Sequence, residues 1–87
     1  MPAKPSAAKR ARQALKRRAR NRAYRSALRT CLKRVHTAIE AGDKEAAQAA
    51  LAEACVRLDK TASKGVIHRN AAARRKSRLT RRVNRLA

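Results

Sequence analysis

Ala38-Ile39-Glu40-Ala41-Gly42-Asp43-Lys44 is the stretch on which the fold depends. Helix formers run without interruption from Ala7 to Ala41, and Gly42 then supplies the left-handed position that closes a helix. Asp43 follows at once as a cap for the next helix, leaving no room for a linker. The spacing predicts a first helix over 7–41, which at 1.5 Å per residue is roughly 50 Å long. The rest of an 87-residue chain is too short to cover it. Part of the first helix must therefore be folded against, and part must project.

Periodicity separates the two parts. At 100° per residue, Tyr24, Leu28, Cys31, Leu32, Val35 and Ile39 share one sector about 100° wide, the width of a core-facing stripe. Arg22, Arg25, Arg29 and Lys33 form a row along one flank of it. Upstream, Lys9, Arg10, Arg12, Lys16, Arg17, Arg18, Arg20 and Arg22 surround the helix on every side, so this half has no apolar stripe.

Downstream of the turn, a second helix is predicted over 44–63. Ala47, Leu51, Ala54, Cys55, Leu58 and Ala62 make its apolar stripe, and Glu45, Glu53 and Asp59 face away. Lys64-Gly65 reads as its stop. A third helix over 67–86 places Ala72, Leu79, Val83 and Leu86 together, with Arg74, Arg78, Arg81 and Arg85 opposite. Residues 1–6, with Pro2 and Pro5, read as an extended tail, and Ser6 as the first N-cap. The expected architecture is all-α: one domain over 1–87, an antiparallel three-helix bundle with a long, projecting, highly basic first helix.

Charge is distributed as unevenly as the apolar residues. Residues 1–39 carry thirteen Lys and Arg and residues 60–87 carry ten, with no carboxylate in either span. All five acids lie between them, and the formal net charge is +20. Twenty-one residues are alanine, whereas Leu, Ile and Val supply only thirteen. Such a chain forms helices readily but packs them weakly by itself. Solvated helix faces mix charge signs for mutual support, and these rows do not. A polyanion is the expected partner.

Several other classes are excluded. No apolar run approaches the roughly 18 residues of a bilayer span, so no membrane is expected. Cys31 and Cys55 form no disulfide framework, and with His36 and His68 they lack zinc-ligand spacing. They read as small buried hydrophobes. No carboxylate pair, Ser/His/Asp set or glycine-rich phosphate loop is present, so neither catalysis nor a cofactor is expected. The N-terminus shares its composition with mitochondrial transit peptides, but that composition continues into the rest of the chain.

Two kinds of nucleic-acid partner remain. Tyr24, the sole aromatic, belongs to the core stripe, which rules out aromatic platforms for single-stranded bases. Recognition of folded nucleic acid through backbone and shape is what is left. Arg20-Asn21-Arg22-Ala23-Tyr24-Arg25-Ser26 looks like the basic region of a leucine zipper, with Leu28, Leu32, Val35 and Ile39 behind it, but Gly42-Asp43 ends the repeat after two heptads. A DNA-binding or nucleoid-type helical protein is the alternative reading. His68-Arg69-Asn70 opens the third helix either as a phosphate-binding N-terminus or as an entry capped by Asn70. Ser26, Thr30 and Ser77 lie among cations and are candidate donors to phosphate.

Taken in order, Lys16-Arg17-Arg18 with Asn21, Arg25-Ser26 with Arg29-Thr30, Ala38 to Asp43, and Lys64-Gly65-Val66-Ile67-His68-Arg69-Asn70-Ala71-Ala72-Ala73-Arg74-Arg75-Lys76-Ser77-Arg78-Leu79 form a specific pattern. Over nearly its full length the chain resembles the bacterial and plastid small-subunit ribosomal protein number twenty family. It departs at Pro2 and Pro5, where the family tends to have an Asn-hydrophobic-Lys lead-in. The resemblance implies a three-helix bundle that binds small-subunit (16S) ribosomal RNA directly during assembly. It implies a monomer within a cytoplasmic ribosome, with a plastid ribosome as the alternative, beside neighbouring small-subunit proteins. The expected RNA contacts are Lys9, Arg10, Arg12, Lys16, Arg17, Arg18, Asn21, Arg22, Arg25, Ser26, Arg29, Thr30 and Lys33 on the first helix. On the third they are His68, Arg69, Asn70, Arg74, Arg75, Lys76, Ser77 and Arg78.

Overall fold

The protein is represented by a computed structural model that describes residues 5–86. It contains three helices: α1, Pro5–Glu40; α2, Lys44–Ser63; and α3, Arg69–Asn84. The tail expected over 1–6 is corrected at its end. Residues 1–4 lie outside the described part, α1 already begins at Pro5, and Ser6 is inside the helix rather than capping it. Proline is suited to a first turn, whose N–H groups have no intrahelical acceptor in any case.

Both turns are closed by the same device. At the first, Gly42 has φ +71°, its N–H donates to the Ile39 carbonyl at 3.0 Å, and the Asp43 N–H donates to the Ala38 carbonyl at 3.2 Å. This is the Schellman pattern, in which a left-handed glycine lets two otherwise unpaired carbonyls accept. Asp43 then caps α2, its carboxylate accepting from the Ala46 N–H at 3.0 Å. Gly65, φ +74°, repeats the motif with bonds from Gly65 to Ala62 and from Val66 to Thr61.

The start of α3 differs from expectation. The helix begins at Arg69 rather than residue 67, and its cap is His68, whose Nδ1 accepts from the Asn70 N–H at 3.1 Å. Asn70 is therefore the donor and not the cap. Ile67, just outside the helix, packs with Ala72 against Leu28 and Leu58. An apolar residue before the cap touching one in the first turn is a hydrophobic staple, and it holds residues 66–67 out of the helix. At the other end α3 stops at Asn84, two residues before the predicted limit, while Leu86 still packs on the core.

The core is a narrow seam. Leu28, Cys31 and Val35 of α1 meet Ala47, Ala54 and Leu58 of α2 and Ala72, Leu79 and Val83 of α3, all buried. Alanines at the contact allow the helix axes to approach closely. α2 is the central element, packing along both neighbours, while α1 and α3 touch one another sparingly. Thr61, outside the predicted stripe, is also buried, at 1% exposure. Its hydroxyl donates to the Arg57 carbonyl one turn back, which removes the cost of burying it. The molecule measures 65 × 21 × 15 Å, because α1 continues far beyond the seam.

Candidate nucleic-acid interface

No described residue of α1 before Leu28 is buried. The free half of the helix is thus a rod that no other element of the chain covers. Lys9, Arg10, Arg12, Lys16, Arg17, Arg18, Arg22, Arg25, Arg29 and Lys33 are all exposed on α1. None of them joins either of the two ion pairs found among the described residues. From Lys9 to Arg29 the helix carries ten cations and no carboxylate. Guanidinium groups fixed along a rod at helical spacing present repeated fork-shaped donors, the geometry that phosphate oxygens accept in pairs.

Asn21 differs from its neighbours. It is half-buried, and its side-chain oxygen is shielded from solvent with no hydrogen-bond partner among the described residues. The two hydroxyls of α1 are unequal as donors. Thr30 already donates to the Ser26 carbonyl at 3.1 Å, so its proton is committed within the helix, whereas Ser26 is exposed and its hydroxyl makes no such bond.

α3 splits the expected contact residues between two sides. Arg69 and Lys76 face α2, lining a shallow surface with Asp59 and Ala62. There the Lys76 ammonium donates to the Asp59 carboxylate at 2.8 Å. This hydrogen bond, and then the carboxylate's charge, raise the pKa of Lys76 above its ordinary 10.5. Lys76 is thereby engaged within the protein. Asp59, assigned by periodicity to open solvent, instead ties α2 to α3. Glu53 likewise reaches Arg34 of α1 at 3.6 Å, but both side chains are about two-thirds exposed and the pair contributes little.

The opposite side of α3 faces α1. Arg75 and Ala71 lie across from Arg25 and Arg29, and between them is a cleft of about 280 Å³ floored by Leu28, Leu32 and Ile67. Farther along the same side, an Arg82 guanidinium N–H donates to His36 Nδ1 at 2.9 Å. Arg74, His68, Asn70, Ser77 and Arg78 are exposed. Arg74 donates weakly to the Asn70 carbonyl at 3.5 Å, and Ser77 accepts from Arg81 at 2.9 Å, which leaves the Ser77 proton available. The structure therefore brings Arg25, Arg29 and Arg75 together and places Arg69 and Lys76 elsewhere.

Sequence reasoning missed the cleft floor and the Arg82–His36 contact. The signal for the latter was faint: His36 and Arg82 lie 46 positions apart on helices whose relative rotation no local pattern reports. Leu15 was passed over as well, although it is 63% exposed among cations on the free half of α1.

A helical scaffold whose first helix carries an uncovered, acid-free cationic rod among the described residues is the framework of a nucleic-acid-binding structural protein. The sequence pattern of ribosomal protein S20 matches residues 2–84. The small ribosomal subunit protein bS20 of Shouchella clausii is 54% identical over 87 residues, covering 100% of this chain and 99% of the relative. That of Thioalkalivibrio sulfidiphilus is 60% identical over 78 residues, covering 90% and 91% respectively. The chain belongs to the ribosomal protein S20 family.

Proposed function

We propose that this protein is a structural component of the small ribosomal subunit that binds its RNA directly and holds converging RNA helices together. Its role is to neutralise and position phosphates, not to catalyse. The observation that carries this reading is the rod from Lys9 to Arg22: eight cations, no acid, and no covering element among the described residues. A field of that strength favours close approach of strands that would otherwise repel.

In this reading the chain works as one RNA-binding unit and a monomer. Lys9, Arg10, Arg12, Lys16, Arg17, Arg18, Asn21 and Arg22 line RNA along the free rod. Arg25, Ser26, Arg29, Thr30 and Lys33 continue the track over the bundle. His68, Arg69, Asn70, Arg74, Arg75, Ser77 and Arg78 form a second face, with Lys76 contributing after release from Asp59. The α2 surface, which holds Glu45, Glu53 and Asp59, is left for solvent or a neighbouring small-subunit protein. The relatives it resembles are bacterial, which favours a cytoplasmic ribosome.

The zipper alternative fails on burial. Leu28, Val35 and the half-buried Leu32 and Ile39 are covered within the same chain, so these residues are not free to form a seam with a second copy. No described helix is long and apolar enough to cross a membrane.

The test is binding of the full chain to small-subunit RNA at several salt concentrations, with duplex DNA as competitor. Each phosphate contact should steepen the dependence by about 0.7–0.9 log units per log salt. A slope equivalent to one or two contacts, or equal competition by DNA, would exclude this role.

A further inference from the structure

The cleft between α1 and α3 is chemically unlike the rest of the cationic surface. Its floor is apolar, made by Leu28, Leu32 and Ile67, and its rim carries Arg25, Arg29 and Arg75 without a carboxylate. The three arginines are exposed, and none takes part in an ion pair among the described residues. We propose that this cleft receives the base of one unpaired nucleotide extruded from the bound RNA, while the three guanidiniums hold its flanking phosphates. The proposal rests on the RNA-binding reading above.

The occupant follows from the two halves of the site. A phosphate alone satisfies the rim but leaves the half-buried Leu32 and Ile67 facing water. An apolar protein side chain satisfies the floor but strips solvent from three unneutralised cations, a heavy penalty. A nucleotide does both, since its flat base has apolar faces and its backbone is anionic. Guanidinium planes also stack on bases, so the arginines can flank the ring as well as bind phosphate.

Size agrees with a single base. About 280 Å³, just below the range of roughly 300–1,000 Å³ typical of small-molecule pockets, is room enough for one base. A base stacked inside a duplex cannot reach the floor, which restricts the ligand to a bulged or loop nucleotide. The cleft lies where α1 and α3 both pack on α2 while touching one another sparingly, and Ile67 packs into its floor. A chain without aromatic platforms thereby acquires a place for a base through tertiary packing.

Base-resolved chemical probing of small-subunit RNA bound to the full chain tests this. The wild-type protein should protect one unpaired nucleotide at its base. Ala71→Phe, which fills the cleft and leaves every charge in place, should abolish that protection. It should weaken binding about tenfold at an unchanged salt slope. Arg75→Gln should reduce protection of the same base and lower the slope by about one. Circular dichroism establishes that the variants remain helical, and where Ala71→Phe does not fold, Ala71→Leu and Arg75→Gln decide the matter. Binding with no unpaired base protected, or protection that survives both Ala71 variants, overturns the proposal. Failure of the wild type to bind small-subunit RNA at all would instead overturn the RNA-binding reading.

Discussion

Replacing Arg17, Arg18 and Arg22 together by alanine isolates the contribution of the projecting half of α1. All three side chains are exposed, and none makes a hydrogen bond or ion pair to another described residue. They precede Leu28, the first buried residue, so the bundle loses no packing when they are truncated. Alanine is at least as good a helix former as arginine, and the rod should keep its helicity. The whole effect therefore falls on binding. If each guanidinium neutralises one phosphate, three contacts at about 0.7–0.9 each lower the slope of log affinity against log salt by about 2–3. The assay is filter binding to small-subunit RNA across a salt series, with thermal melting by circular dichroism alongside. Lys44, Arg57 and Lys60 of α2, changed together to alanine, provide the matched control. This removes the same charge from a helix not expected to touch RNA. The control should leave the slope nearly unchanged. Equal losses from the two triple variants would show that the net field matters and the rod does not. An unchanged slope in the first variant would remove the rod's role altogether.

The bundle itself offers three further tests. Leu58 is fully buried between α1 and α3, so Leu58→Ala should cost about 2–5 kcal/mol, visible as a large fall in thermal midpoint by circular dichroism. A shift of only a degree or two would mean that this seam is not the core. Gly42 has φ +71° with open space where a Cβ would stand, so Gly42→Ala should cost about 1–2 kcal/mol from backbone strain alone. Gly42→Asn should cost less in the same urea titration, and a cost above 3 kcal/mol would point to a steric clash that the structure does not contain. Lys76, with its pKa raised by Asp59, contributes stability in full below 10.5, and that contribution disappears as pH rises through the raised value. Asp59→Asn should therefore reduce the stability lost between pH 9 and pH 12, and an identical loss in both proteins would show that the tie is not formed.

Much of the candidate interface was legible because charge is a property of composition. No arrangement of the remaining residues can neutralise thirteen cations before residue 40, and the only five acids fall at the last residue of α1, in the turn and in α2. What escaped was which of those cations the protein uses internally. Lys76 looked the same as Arg75 in the sequence, yet one position is 100° of rotation on a helix. That single step turns Lys76 toward Asp59 and Arg75 toward the α1 cleft. Thr61 was hidden for a different reason. It was absent from the stripe read for α2, and the bond from its hydroxyl to the Arg57 carbonyl makes its burial tolerable. His68 was noticed as part of the phosphate-favouring entry of the third helix, whereas its first structural task is to cap α3.

The span of α2, both glycine stops, the Asp43 cap and the polarity of α1 all arise from interactions within about four residues of one another. Hydrogen bonds from i to i+4, left-handed glycine and side-chain caps act at that range, so a linear text contains them. The start of α3, the capture of Lys76 and the cleft beside Arg25, Arg29 and Arg75 depend instead on how three narrow, alanine-rich stripes rotate against each other. That rotation is set by contacts between residues dozens of positions apart, such as Leu28 with Leu58 and Ile67. Packing geometry of this kind is collective, and it exists only once the helices have met.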